Sequence, residues 1–292
     1  MYKRQPLEQV AAALSEAVAS SSPVSGGSIN EAWRLELESG RRVFVKSRNG
    51  APAAEFGAES AGLAWLREAG AIGVPEVLGS GEGPPWLALE WIEPGSLSAA
   101  GEEKLGRGLA ALHGSGAEAH GALPAGSPDD LVRIGSVELP SRPGPDWPQL
   151  YAEQRLLPLL KVARERGALG ESDAGAIDGV CDRIDALAGP AEPPSRLHGD
   201  LWGGNVLSDA DGNPWLIDPA AHGGHREIDL AMLRLFGGPG ERAHHAYDEA
   251  HPLAEGHADR VELWQLLPLL VHAVLFGGSY GAAAGRAAKR YN

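Results

Sequence analysis

The sequence predicts an α+β chain of two lobes: a small antiparallel sheet with one key helix, followed by a larger, mainly helical part. Three observations carry this reading. Two alternating runs, Trp33–Leu37 (WRLEL) and Arg42–Lys46 (RVFVK), flank a Glu-Ser-Gly-Arg turn and read as a hairpin. A helical period then covers Ala53–Ala69, with Phe56, Leu63 and Leu66 on one face and Gly70 at its stop. Beyond residue 92 the periodicity is helical almost throughout, interrupted by Pro- and Gly-rich connections.

Taken in order, Leu7, Val10, Leu14 and Val18 recur at spacings of three and four and predict a helix over 6–20. After the hairpin and its helix, residues 74–79 (VPEVLG) and 86–92 (WLALEWI) predict two more strands, closing a first lobe at 1–92. A hinge is expected near Glu93–Gly95, where the pattern breaks. The second lobe, 93–292, predicts helices over 101–114, 147–167, 172–188, 226–236 and 258–276, with irregular connections at 121–146 and 189–195. Asn205–Ser208 and Trp215–Ile217 flank Asp-Ala-Asp-Gly-Asn, a strong signal for a short hairpin.

Composition narrows the function classes. Thirty-nine acidic against 25 basic residues give a formal charge of −14, with no basic run to offset it, so a nucleic-acid partner is not expected. No apolar stretch reaches the roughly 18 to 20 residues that span a bilayer, and the N-terminal segment lacks the uninterrupted apolar core of a signal peptide. A cytoplasmic protein without a membrane partner is the expectation. Cys181 is the single cysteine, which excludes an internal disulfide and predicts a buried, inert thiol.

The chemistry concentrates in two segments. Leu197–Val206 (LHGDLWGGNV) places Asp200 and Asn205 on one loop, and Leu216–Pro219 (LIDP) places Asp218 after a strand; the intervening hairpin can fold them together. Phosphoryl transfer needs a carboxylate to position the attacking hydroxyl and hard oxygen ligands for Mg²⁺. Asp200 fits the first role, and Asn205 with Asp218 the second. The spacing from Asp200 to Asn205 matches the protein-kinase catalytic loop. Upstream, Glu59 falls on the apolar face of its helix, where an ion needs a cation; Lys46, ending the preceding strand, is the candidate.

Other signals are weaker by themselves. Gly26, Gly27 and Ser28 precede the hairpin and would let backbone N–H groups approach ATP phosphates; read in isolation a flexible turn explains them better, and their position before the Lys46 strand gives the phosphate reading its weight. Glu90, Trp91 and Ile92 end the last strand of the first lobe, where an edge backbone could pair with adenine. Packing between lobes is the competing reading for Trp91, and a strand-end cation with its stem on apolar surface is that for Lys46.

The whole chain resembles the fructosamine kinase (ketosamine-3-kinase) family, a branch of the protein-kinase-like and aminoglycoside-phosphotransferase group. The resemblance rests on LHGDLWGGNV (197–206), LIDPA (216–220), GHREIDLAMLRLFGG (224–238), AYDEAHPLAEG (246–256) and LWQLLPLLVHAVLFG (263–277). It implies a two-lobed protein-kinase-like fold and phosphorylation, by ATP with Mg²⁺, of the 3-hydroxyl of fructosamines or ribulosamines, free or on protein lysines. By matching position it implies Asp200 as base, Asn205 and Asp218 as metal ligands, Lys46 on the phosphates with Glu59 its partner, and Trp202 and His272 in the substrate pocket. For His272 and Trp202, core packing competes. Asp229 is expected to anchor the catalytic loop, while His225, Arg226 and Glu227 could be solvated or substrate-facing. Where some relatives carry cysteine in the phosphate loop this chain has Ser28, so a disulfide switch there is excluded. Two other readings compete: a kinase of the same fold acting on an aminoglycoside or choline-like amine alcohol, and a non-catalytic pseudokinase, whose usual mark of a lost lysine, base or metal ligand is absent.

Overall fold

The computed structural model describes residues 5–24 and 30–292. The first part holds α1 (Gln5–Leu14), β1 (Val18–Pro23), β2 (Glu31–Leu37), β3 (Arg42–Ser47), α2 (Ala53–Glu68), β4 (Val77–Glu82) and β5 (Pro85–Glu90). Its five strands form one antiparallel sheet in the order β1-β2-β3-β5-β4. Alternation along β3 divides its side chains between two cores. Val43 and Val45 pack with Val10 of α1, whereas Phe44 packs with Phe56, Leu63 and Leu66 of α2. Lys46 shares the parity of Phe44, which sends it toward α2.

Two expectations are corrected in this lobe. The helix over 6–20 ends at Leu14, where Ser15 takes φ of 53°, and residues 18–23 instead form β1 against β2. Val18 and a run of serines favour an extended chain, and pairing with β2 satisfies their backbone. The strands expected at 74–79 and 86–92 are observed at Val77–Glu82 and Pro85–Glu90. β5 lies inside the sheet, with β4 on its outer side, so Glu90 is a strand end and not an edge.

The larger part begins with α3 (Ala99–Gly114), capped by the Ser98 hydroxyl on the Gly101 N–H. The connection expected at 121–146 contains a hairpin of β6 (Leu131–Ile134) and β7 (Val137–Pro140). The helix expected at 147–167 is α4 (Trp147–Tyr151), a π-helical turn over Ala152–Leu156, and α5 (Leu157–Glu165). Residues 172–188 divide into α6 (Glu171–Asp182) and α7 (Ile184–Leu187). Then come β8 (Ser195–Leu197), β9 (Val206–Ser208), β10 (Pro214–Leu216) and β11 (His222–Gly224). Helices α8 (Glu227–Leu235), α9 (Glu241–Ala250), α10 (His257–Trp264), α11 (Leu266–Phe276) and α12 (Tyr280–Lys289) complete the chain, α9 and α12 being unforeseen. Trp147, Tyr151, Ile177, Trp264 and Leu270 belong to the core of this part.

The β9–β10 hairpin ties the two parts together. The Leu216 N–H donates to the Gly73 carbonyl at 2.8 Å, and the Gly95 N–H to the Ser208 carbonyl at 2.8 Å. Gly95 approaches so closely that a Cβ would lie 2.0 Å from the Asp209 carbonyl oxygen. Asp209 accepts from the Asp211 and Asn213 N–H groups and from the Trp215 indole, fixing the turn. Among the described residues no helix is long and apolar enough to cross a membrane.

Candidate active site

β3 carries Lys46 into the space beneath α2, where its Nζ lies 2.7 Å from Glu59 Oε2 and 2.7 Å from Asp218 Oδ1. The helical face that buries Phe56, Leu63 and Leu66 thus also presents the carboxylate, as its spacing requires. Burial opposes the Lys46 charge, but attraction to Glu59 and Asp218 outweighs it and holds its pKa above the usual lysine range. Burial raises Glu59, with Lys46 pulling the other way. Its second oxygen, Oε1, is buried without a partner among the described residues.

The catalytic-loop segment leaves β8 at Leu197 and turns on Gly199, whose φ of 81° favours glycine. A Cβ there would meet the Ala220 carbonyl oxygen at 2.2 Å. Fully buried Asp229, on α8, accepts from the His198 N–H at 2.7 Å, the Gly199 N–H at 2.9 Å and His113 Nε2 at 3.2 Å. Burial would raise its pKa; these donors, His113 first, hold it below the usual range. His198 completes the scaffold: Nε2 donates to the Ile217 carbonyl, and Nδ1 accepts from the Asp200 N–H. The expected anchoring role of Asp229 therefore has a geometric basis. His113 and His198 escaped sequence reasoning, because GLAALHG shows only an amphipathic helix and the loop histidine only a turn.

Asn205 donates through Nδ2 to the Asp200 carbonyl at 2.8 Å and to Asp200 Oδ2 at 3.1 Å, which leaves Oδ1 available to a cation. Asp218 takes φ of 54°, and its side chain remains 48% exposed toward the cleft. Desolvation pushes the Asp218 pKa up, but Lys46 outweighs that and holds it below the ordinary value. Desolvation likewise raises Asp200 to about 7, opposed by the Asn205 hydrogen bond and reinforced by Asp218 and Asp229. The Asn205 Nδ2 also lies 3.5 Å from the Asp218 backbone carbonyl, and an amide oxygen and a carboxylate on such neighbouring residues are a hard-oxygen donor set suited to Mg²⁺.

The remaining candidates sit farther out. Trp202 is 40% exposed, its ring folded over Gly204. His272 is half-buried among Phe236, Tyr280 and Phe276, at 4.4, 5.1 and 5.4 Å between ring centroids, and its Nδ1 donates to the Pro268 carbonyl. Gly203, next to Trp202, closely approaches Gly237 and Gly238, which follow Phe236 in the chain. The Glu90 N–H already donates to the Glu76 carbonyl, so it is not free to pair with a further group. Trp91 lies beneath the Arg34 guanidinium, 5.7 Å from the ring centroid, and its indole donates to Glu93. Gly26, Gly27 and Ser28 lie outside the described residues.

Three expectations behind the loop change. His225, Arg226 and Glu227 are buried, not solvated. Arg226 pairs with Glu192, and Glu227 with Arg260 and the Trp264 indole, so tertiary ion pairs hold the start of α8. Cys181 is half-buried and its thiol is pushed up to about 12 by burial, in keeping with an inert group.

Residues 3–291 match the profile of the fructosamine kinase family. A Thermus thermophilus protein named as a probable ketoamine kinase is 36% identical over 97% of this chain and 98% of its own. Its Staphylococcus aureus counterpart, similarly named, is 35% identical over 89% of this chain and 88% of its own. The crystal structure of a Thermobifida fusca protein assigned to the fructosamine-3-kinases superposes with a TM-score of 0.88 at 43% identity, covering 97% of this chain and 98% of that one. More distant structures, among them a macrolide phosphotransferase and a choline kinase, share the two-lobed kinase-like fold at 19% and 14% identity.

Proposed function

The chain belongs to the fructosamine kinase family, and we propose that it transfers the γ-phosphoryl group of ATP, with Mg²⁺, to the 3-hydroxyl of ketosamines, fructosamine or ribulosamine, free or borne on protein lysines. The observation that carries the reading is the convergence of Lys46, Glu59 and Asp218 beside a loop on which Asp200 and Asn205 already meet. Residues 1–92 form the nucleotide-binding lobe in this reading and 93–292 the catalytic lobe. A cytoplasmic setting, where ATP is at hand, suits the activity.

In the proposed reaction Asp200 accepts the proton of the 3-hydroxyl as that oxygen attacks the γ-phosphorus. The bond from phosphorus to the β,γ-bridging oxygen breaks and ADP departs. Lys46 balances charge on the phosphates and is held in place by Glu59. Asn205 Oδ1 and the Asp218 carboxylate would hold Mg²⁺, which when bound neutralises phosphate charge. Asp229 fixes the loop so that Asp200 faces the acceptor, while the exposed face of Trp202 and the His272 group border its sugar and amine. A base with pKa about 7 is poised for proton transfer near neutrality.

The test is Mg·ATP-dependent phosphorylation of a fructosamine and a ribulosamine beside an aminoglycoside and choline, reading ADP release and product mass. Phosphorylated ketosamine alone is expected. Phosphorylation of the aminoglycoside or choline instead would keep the kinase and overturn the acceptor, and ATP turnover with none of the four would overturn the reading.

A further inference from the structure

Behind the catalytic loop lies a group of buried polar side chains that the reaction does not use. Arg155 is fully buried, and among the described residues no carboxylate pairs with it; it donates to the Pro140 carbonyl and the Ser141 hydroxyl. It projects from the π-helical turn between α4 and α5, a local irregularity often associated with function. Its Nε–H has no partner among the described residues. The same is true of the Trp147 indole N–H, His222 Nε2 and His120 Nδ1, all on buried residues.

These atoms belong to one neighbourhood. The Trp147 ring lies 5.7 Å from that of His120 and 6.2 Å from that of His222, while Arg155 is close enough to depress His222 electrostatically. Ser141, which accepts from Arg155, donates to the Gly121 carbonyl, and the Gly121 N–H donates to the Gly223 carbonyl at 2.7 Å. The chemistry of the set selects its occupant. Because His222 Nδ1 donates to the Ala220 carbonyl, Nε2 offers a lone pair, whereas Trp147 and Arg155 offer N–H donors. An anion would meet that lone pair unfavourably. Water can accept from the two N–H groups and donate to the imidazole nitrogen.

We propose that His120, Trp147, Arg155 and His222 enclose a buried water site, and that Trp147, Arg155 and His222 act through it as positioning residues for the catalytic loop. His222 lies opposite Leu197 in the β8–β11 pair, and a Cβ on Gly199 would stand 3.0 Å from its Nδ1. The imidazole is thus the floor under the turn that presents Asp200. Without water, buried donors and an acceptor would forfeit their hydration, and the ring would be free to tilt.

The positioning half rests on the proposed role of Asp200; the water half does not. A crystal structure of the full chain grown in sodium bromide should show ordered water within ~3 Å of the Trp147 indole nitrogen and His222 Nε2, with no anomalous bromide peak. A bromide peak, or a dry chamber, overturns the water site. Trp147→Phe keeps an aromatic ring and removes one donor. It should lower kcat for the ketosamine by about threefold to tenfold while leaving the nucleotide KM within about twofold. Should that variant fail to fold, Arg155→Lys, which keeps the charge and removes Nε–H, carries the same expectation. Unchanged kcat, or equal changes in kcat and KM, overturns the positioning role. A wild-type protein inactive on ketosamines would sink the acceptor assignment and leave the crystallographic result standing.

Discussion

Replacing Asp229 by Asn keeps the shape of the side chain and changes only its hydrogen-bonding capacity. The carboxylate meets N–H donors on both oxygens: Gly199 on Oδ1, His198 and His113 on Oδ2. An amide has one acceptor oxygen, so in either orientation its NH₂ faces a backbone N–H at less than 3 Å. At least one charge-assisted bond, worth about 1.5–3 kcal/mol, is lost and one buried donor is left unpaired at a further ~1–3 kcal/mol. The expected loss of stability is therefore roughly 3–5 kcal/mol, read as a shift in urea midpoint at constant slope. Because whichever backbone donor is left unpaired belongs to residue 198 or 199, kcat should fall by at least about a hundredfold with nucleotide affinity nearly retained. Stability within ~0.5 kcal/mol of wild type, with kcat within about threefold, would show that Asp229 does not hold the loop.

Asp200→Asn should reduce kcat by about 10²–10⁴ while ATP still binds, measured by single-turnover kinetics and calorimetry; near-normal turnover would remove Asp200 as base. With Asp200 at about 7, log(kcat/KM) of the wild type should rise with pH and level above that value; a flat profile between pH 5 and 8 contradicts the assignment. The raised pKa also has a stability consequence of definite sign. The folded protein binds this proton more tightly than the unfolded chain, so the penalty is absent below the ordinary aspartate pKa and complete above about 7. Asp200→Asn should hence stabilise the protein at pH 8 by on the order of 1–3 kcal/mol, with the gain vanishing toward pH 4. Lys46→Ala leaves the Glu59 and Asp218 carboxylates facing each other and should weaken ATP binding at least about tenfold by fluorescence titration; unchanged affinity would move the phosphate contact elsewhere.

The candidate site residues were legible because each depends on a local pattern. Strand alternation sends Lys46 to one face, helical spacing sends Glu59 to meet it, and a loop of four intervening residues returns Asn205 to Asp200. Less legible were elements whose stability comes from distant partners. Helix α12 (YGAAAGRAAK) has one bulky apolar side chain, Tyr280 at its start, and is otherwise held by small ones, Ala284 and Ala288, buried in the core of the larger part. The charged start of α8 looked solvated because its counter-ions, Glu192 and Arg260, lie more than thirty residues away in the chain. The break of α1 at Ser15 was hidden by Val18, whose spacing continues the helical stripe although it pairs with Leu37 in the sheet.

The clasp between the β9–β10 hairpin and residues 73 and 95 bears on how this architecture could be recombined. The segment expected to be a free hinge is hydrogen-bonded to the hairpin that lies between Asn205 and Asp218, and Gly95 has no room there for a side chain. The five-stranded sheet is therefore not a module that ends where its last strand ends. A chimaera joined at residue 92 would sever the sheet from the strap it is fastened to, whereas one that carried residues 205–218 along with it would preserve the seam. The natural unit of exchange in this fold is discontinuous in sequence, and the length of the hinge is fixed as firmly as its composition.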